Sequence, residues 1–390
     1  MSPEPKLTRR RFLGQSALIG CSLAASPLLT PVSFAAAPWD TRLVVIVLRG
    51  GMDGLDVVRP YGAPEFAGLR GGQDGADAAE PLDLDGFFAL NPALAPLMPL
   101  WQREELGFVH AVSTPYRDKR SHFDGQDLLE AGTSSLAGAR DGWLNRMLGQ
   151  LPGVEPRTAF AIGYGEMKLL DGPVPVADWA PDADLVISPQ AMQLAELVMQ
   201  EDPAFHAALG EAMMLSGSGA GGERGKPHVK VAEFAAEQLR GDTRVASFSI
   251  NGWDTHRQQS RNIRRALERL SETILTLQSG VGPDIWSKTA IVAMTEFGRT
   301  VRLNGTGGTD HGTGGAMLLA GGAIRGGRVF GDWPGLDEAD LYDRRDLMPT
   351  GDVRAPVAWL MRGLAGLDRG ALENVVFPGL DMAGDPGLLR

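Results

Sequence analysis

The 390-residue chain is 43% hydrophobic and 22% charged, a balance that excludes general disorder and supplies enough apolar material for one large core or two. Its 48 acidic side chains outnumber 37 basic ones, for a formal net charge of −11. That balance argues against nucleic acid or an anionic membrane as the main partner, because phosphate groups would be repelled.

The N-terminal stretch KLTRRRFLGQSALIGCSLAASPLLTPVSFAAAPW places basic residues first, then an apolar run, then small residues, the layout of a secretory leader. Thr8, Arg9, Arg10, Arg11, Phe12 and Leu13 resemble the twin-arginine signal read by the machinery that exports folded proteins. Residues 1–35 are therefore expected to be a signal peptide, and residues 36–390 a single α/β domain. Pro27 and Pro31 break the apolar run short of the ~20 residues that a membrane span needs, so no transmembrane span is expected in the mature chain. LIGC, ending at Cys21, resembles a lipoprotein box and leaves lipid anchoring as the alternative to a free periplasmic or extracellular protein. Cys21 is the only cysteine, so cleavage after Ala35 would leave none, excluding disulfides, cysteine nucleophiles and thiolate metal sites. The mature chain would then carry 33 basic and 47 acidic residues, a net charge of −14.

Along the chain, TRLVVIVLRGGMDGLDVV (41–58) starts as a β-branched apolar run and breaks at Gly50 and Gly51, which predicts a buried parallel strand and a tight turn. Residues 59–93 are rich in Gly, Pro and Asp and read as loop; PALAPLMPLWQREE reads as helix before a strand at LGFVHAV. YRDKRSHFDGQDLLEAG and GWLNRMLGQL follow as a polar loop leading into helices, and RTAFAIGYG as a third strand. Residues 188–215 carry an apolar stripe at helical spacing, and SGSGAGGERG (216–225) is a low-complexity connector expected to be mobile. RVASFSINGWDTH and KTAIVAMTEFGRT each predict a strand ending in a polar turn, with a long amphipathic helix, RQQSRNIRRALERLSETILTLQ, between them. AMLLAGGAI is a further strand and VRAPVAWLMRGLAGL a closing helix. Strands alternating with helices predict a three-layer α/β sandwich, its mostly parallel sheet covered by helices on both faces.

In such sheets ligands gather beyond the carboxyl ends of the strands. Asp53, the pair Asp254 and His256, and Glu296 each lie within a few residues of a predicted strand end and are expected to converge. Asp310 and His311 stand in a glycine run, NGTGGTDHGTGG, where the backbone can turn sharply or approach a neighbour closely. Several carboxylates and two imidazoles at one rim would repel without a cation, and they form an oxygen and nitrogen ligand set suited to Zn first, or to Mn, Mg or Ca. A pair of such ions about 3.5 to 4 Å apart could clamp a phosphoryl or sulfuryl group.

VVIVLRGGMDGLD, RSHFDGQ, INGWDTH, MTEFGRT and GTDHGTGGAMLLAGG resemble the marks of an exported family catalogued as domain of unknown function 1501. That family in turn is similar to the alkaline phosphatase and sulfatase superfamily. The resemblance implies an alkaline-phosphatase-like fold with Asp53 as the first metal-binding aspartate, Ser121 as nucleophile at a helix start, Asp254 and His256 as paired ligands, His311 as the late imidazole, and Glu296 at the place of a strand-end aspartate. Phe297 stands where the superfamily's strand-end histidine is expected, so either His122 supplies the missing imidazole or a second metal is absent.

Each residue also has a plainer reading. Asp53 alone is a common turn former or helix cap, and Asp254 with His256 would serve as a cap beside a hydrogen-bonded histidine. Arg49 and Arg299 either clamp an anionic substrate or form salt bridges with the same acids. Asp310 is a candidate metal ligand or, the reading favoured here, orients His311 from behind. His110 alternates with apolar strand residues and reads as a core histidine. The glycine run lacks the G-x-x-x-x-G-K-[ST] pattern of a nucleotide phosphate cradle. The function expected is metal-dependent hydrolysis of small anionic phosphate or sulfate esters in the cell envelope. The alternative is an envelope binding or assembly protein with an eroded site.

Overall fold

Arg42–Arg49 reads RLVVIVLR and forms the central strand β1, buried along nearly its whole length, as a β-branched apolar run must be when helices cover both of its sides. The computed structural model describes residues 39–71, 81–117, 120–138, 140–163, 167–180 and 226–390. The expected leader, the helical stretch 188–215 and the connector 216–225 lie outside the described residues.

Eight further strands join β1 in one sheet: β2 (Leu106–Ser113), β3 (Ala159–Ile162), β4 (Ala177–Trp179), β5 (Val245–Asn251), β6 (Thr289–Met294), β7 (Gly315–Ala320), β8 (Val329–Phe330) and β9 (Gly351–Asp352). Their order is β8-β2-β7-β6-β1-β5-β3-β4, with β9 also paired to β2. The run β6-β1-β5-β3-β4 is parallel throughout. β7 alone turns against it, antiparallel to both β6 and β2. The sheet is mixed and mostly parallel, with helices on both sides, the three-layer α/β arrangement that the alternation predicts.

The main helices are α1 (His122–Ala131), α2 (Pro227–Arg240), α3 (Gln259–Trp286) and α4 (Arg354–Ala365). α1 and α4 each end at a glycine in the left-handed region, Gly132 and Gly366, the usual way to satisfy the last carbonyls. α3 buries Ile263, Ala266, Leu267, Leu270, Ile274 and Leu277, spaced three or four apart on one stripe. It bends at Gly282 and Pro283, where proline removes a backbone donor. No described helix is long and apolar enough to cross a membrane.

Two sequence expectations change in detail. PALAPLMPLWQREE is a 3-10 turn over Pro92–Leu97 followed by a short helix, Met98–Gln102, because its repeated prolines deny a regular helix its hydrogen bonds. The stretch expected as loop holds a small antiparallel sheet, in which Val58–Arg59 and Leu82–Asp83 flank Ala89–Leu90.

Strand register sets the functional rim. β1 pairs with β5 from Leu43 opposite Val245 to Arg49 opposite Asn251, and with β6 through Val47 opposite Met294. Asp254 therefore follows β5, and Glu296 follows β6, at one end of the sheet. Because β7 is reversed, its start lies at that same end, and the glycine run that precedes it delivers His311 there.

His110 on β2 is buried among Phe88 and Trp333. Its Nε2 donates to the Val58 carbonyl at 3.2 Å, and its Nδ1 accepts from the Ala111 N–H at 2.9 Å. Burial pushes its pKa from 6.5 down to about 4, so the unfolded chain binds the extra proton between these values. Stability should fall by roughly 3 kcal/mol from this residue as pH drops from 6.5 to 4. Urea unfolding of the wild type and of His110→Gln across that range should show a shallower pH dependence in the variant.

Candidate metal centre at the sheet rim

Three imidazoles meet at the rim, and each has one ring nitrogen committed elsewhere. His122, the first residue of α1, directs Nδ1 to Glu296 Oε1 at 2.8 Å. His256 directs Nδ1 to Asp310 Oδ1 at 3.0 Å, and His311 directs Nδ1 to the Arg120 carbonyl at 2.7 Å. All three partners are acceptors, so a neutral ring that keeps its proton on Nδ1 for this bond presents a bare lone pair at Nε2.

Those lone pairs surround a single carboxylate oxygen. Asp254 Oδ1 lies 3.5 Å from His122 Nε2, 3.0 Å from His256 Nε2 and 3.2 Å from His311 Nε2. The Nε2 atoms of His256 and His311 are 2.9 Å apart. Among the described residues, His122, Asp254 and His311 offer ligand atoms that all lie within 4.8 Å of one another, and His256 adjoins them. His122 Nε2 is buried with no hydrogen-bond partner. Arg299 Nη1 already donates to Asp254 Oδ1 at 2.8 Å, and the three Nε2 atoms around that oxygen favour further positive charge among them, either a cation or extra protons. The residues present therefore fit a divalent metal.

Titration follows the same electrostatics. The pKa of His122 is pushed up to about 9, by Asp254 first and then by Glu296, against the desolvation of the ring. Partial burial opposes ionisation of Asp254, but His122, His311 and Arg299 outweigh it and hold the carboxyl well below the usual range. Burial likewise opposes ionisation of Glu296, and His122 and Gln126 more than offset it.

The surrounding residues position this cluster. Glu296 is fully buried and accepts from the Gly50 N–H at 2.9 Å, from Gln126 Nε2 at 3.1 Å and from the Thr295 hydroxyl at 2.9 Å. It holds His122 rather than facing the acceptor cluster, so its expected place as a direct ligand is corrected by geometry. Arg299 is also buried, and its Nη1 donates to Asp254 Oδ1 at 2.8 Å while Nε donates to the Thr309 hydroxyl at 3.1 Å. It makes the salt bridge that was one of its two readings, and the buried guanidinium orients Asp254. Arg49 similarly pairs with Glu130 at 2.7 Å and donates to Gln126.

Asp53 does not join the histidines. Both of its oxygens are taken by Arg70, at 2.7 and 3.1 Å, and one also accepts from Gln259 Nε2 at 2.7 Å. The buried guanidinium supplies the positive charge that a metal was expected to supply. Asp310 orients His256 and not His311, and it accepts from Asn304 Nδ2 as well. Ser121 is the residue just before α1, and its hydroxyl makes no cap bond. Phe297 stacks on His122 and packs at a tilt on His311, both with ring centroids 5.1 Å apart, so it walls the imidazoles where a further ligand was expected.

Gln126, Asn304, Arg70 and the Arg120 carbonyl were not legible as site residues. Only Gln126 left a signal, since it lies four positions after His122 and so on the same helix face. The glycines do what the sequence implied. A side-chain carbon on Gly308 would lie 2.1 Å from the His256 carbonyl carbon, and one on Gly312 would lie 2.4 Å from that of Arg299.

Residues 190–356 match the model of a family described as "Protein of unknown function (DUF1501)". The match is to the family that the motifs resemble. No curated protein matches the chain. Among solved structures, the lipoteichoic acid synthase LtaP from Listeria monocytogenes is 10% identical, with 89% of this chain and 78% of that one covered and a TM-score of 0.37. The C-terminal periplasmic domain of EcEptC from Escherichia coli, in complex with Zn, is 11% identical, with 72% and 73% covered and a TM-score of 0.37. A protein in the alkaline phosphatase superfamily from Vibrio parahaemolyticus is 12% identical, with 73% and 62% covered and a TM-score of 0.32.

Gly312→Ala should lower stability by about 1–3 kcal/mol, because the added carbon meets main chain rather than a movable side chain. Denaturant unfolding beside the wild type measures the loss.

Proposed function

We propose that this protein is a metal-dependent hydrolase of phosphate or sulfate esters that works in the cell envelope after twin-arginine export. The observation that carries the reading is the convergence of three Nε2 lone pairs on Asp254 Oδ1, with every Nδ1 tied to an acceptor. His122, Asp254, His256 and His311 would hold the ion. Three imidazoles and one carboxylate favour Zn over the harder Mg and Ca. A bound ion there supplies Lewis acidity toward a phosphoryl or sulfuryl oxygen and eases loss of a proton from a hydroxyl.

The chain's own groups supply the rest. Glu296, Asp310 and the Arg120 carbonyl fix the rings, and Arg299 fixes Asp254. Asp254 is 44% exposed at its side chain, so an ester could reach the cluster from solvent. We assign Ser121 as the nucleophile because it precedes α1, whose free N–H groups favour an anion at that end.

The second reading, an envelope binding or assembly protein with an eroded site, is favoured by one observation: Arg70 neutralises Asp53, which supports one ion rather than a clamping pair.

Purified protein exposed separately to Zn, Mn, Mg and Ca should retain about one equivalent of metal, and His311→Ala should lose it. The loaded wild type should cleave an aryl phosphate or an aryl sulfate, and Ser121→Ala should not. A wild type that takes up none of the four ions and cleaves neither ester would retire the enzyme. Glu296→Gln should weaken metal binding by about 10- to 100-fold through His122, as read by competition with a chelator.

A further inference from the structure

A groove of about 840 Å³ opens at Asp254 and runs along α3. Arg265 and Arg269 line it, four positions apart and so on one face of the helix. Arg269 Nε donates to the Arg265 carbonyl at 3.2 Å, and its guanidinium packs against Gly252, two residues before Asp254. Among the described residues neither guanidinium has a carboxylate partner. Of the groove's other basic side chains, Lys226 and His228 both bind Glu272, at 2.5 and 2.7 Å. Burial first, and after it repulsion from Arg265, lower the pKa of Arg269. Ser271 on the same wall is buried, and its hydroxyl has no hydrogen-bond partner among the described residues. Among the described residues, Glu268 beside the arginines has no ion-pair partner, and it is exposed toward solvent.

We propose that the ester cleaved at the histidine cluster carries a second anionic group, a phosphate, sulfate or carboxylate, which Arg265 and Arg269 hold in this groove. The placement rests on the hydrolase reading for the first group and on the unpaired arginines for the second. Two guanidiniums beside one rim match an oxyanion by paired, charge-assisted hydrogen bonds, and the groove's continuity with Asp254 lets one molecule touch both places.

Two measurements separate the parts. Calorimetry with inorganic tripolyphosphate on the metal-free full chain should show saturable binding, weakened about tenfold or more in the Arg265→Ala, Arg269→Ala double variant. Arg261→Ala, on the same helix outside the groove, should change it less than about twofold if net charge alone matters little. Binding unchanged in the double variant, or weakened equally by Arg261→Ala, overturns the proposal. With metal present, the double variant should raise KM for 4-carboxyphenyl phosphate and leave that for 4-nitrophenyl phosphate unaltered; equal effects on both also overturn it. Arginine-dependent binding without turnover of either ester would sink the hydrolase reading and leave the anion site standing. Turnover with arginine-independent binding would do the reverse.

Discussion

The arrangement of the rim depends on where three imidazole protons sit. Glu296, Asp310 and the Arg120 carbonyl each take an Nδ1–H, and a ring that flipped would forfeit a hydrogen bond that is worth roughly 1.5–3 kcal/mol when its acceptor is charged. With those protons fixed, the Nε2 atoms face one another and Asp254 Oδ1. The cluster favours positive charge, as the raised pKa of His122 and the hydrogen bond from Arg299 to Asp254 both express.

Topology makes the meeting possible. His122, Asp254 with His256, and Glu296 follow strands β2, β5 and β6, and His311 precedes the reversed strand β7. The reversal is what puts a residue preceding a strand at the same rim as residues following other strands. Close approach then requires bare backbone at Gly308 and Gly312, against His256 and Arg299. A network through Arg70, Asp53, Gln259, Thr309 and Arg299 ties the first turn of the sheet to Asp254, with each buried charge paired, as low dielectric demands.

The charge balance of the site is local. The chain as a whole is acidic, yet the rim places buried Arg299 and three imidazoles around one carboxylate, and the groove beside it holds two arginines that have no acidic partner among the described residues. The groove's charges balance, since Lys226, Arg265 and Arg269 stand with Asp254, Glu268 and Glu272, so the placement of the two arginines, and not a net positive charge, distinguishes it.

The sequence by itself determined six of the strands, the helices α1, α3 and α4 and the mostly parallel sheet, because apolar periodicity is a local property that burial must respect, while α2 (Pro227–Arg240) and the short strands β4, β8 and β9 were not read from it. It also determined that Asp254, His256 and His311 would reach one rim, since strand ends and glycines mark where chain can gather. What only the tertiary structure decided was which acids meet a cation and which meet an arginine. Asp53 looked like a ligand until Arg70, seventeen positions away, took both of its oxygens, and Glu296 looked like one until His122 claimed it. A side chain's partner is set by three-dimensional distance and by the electrostatic need to pair each buried charge, and neither quantity is written in the spacing of residues along the chain.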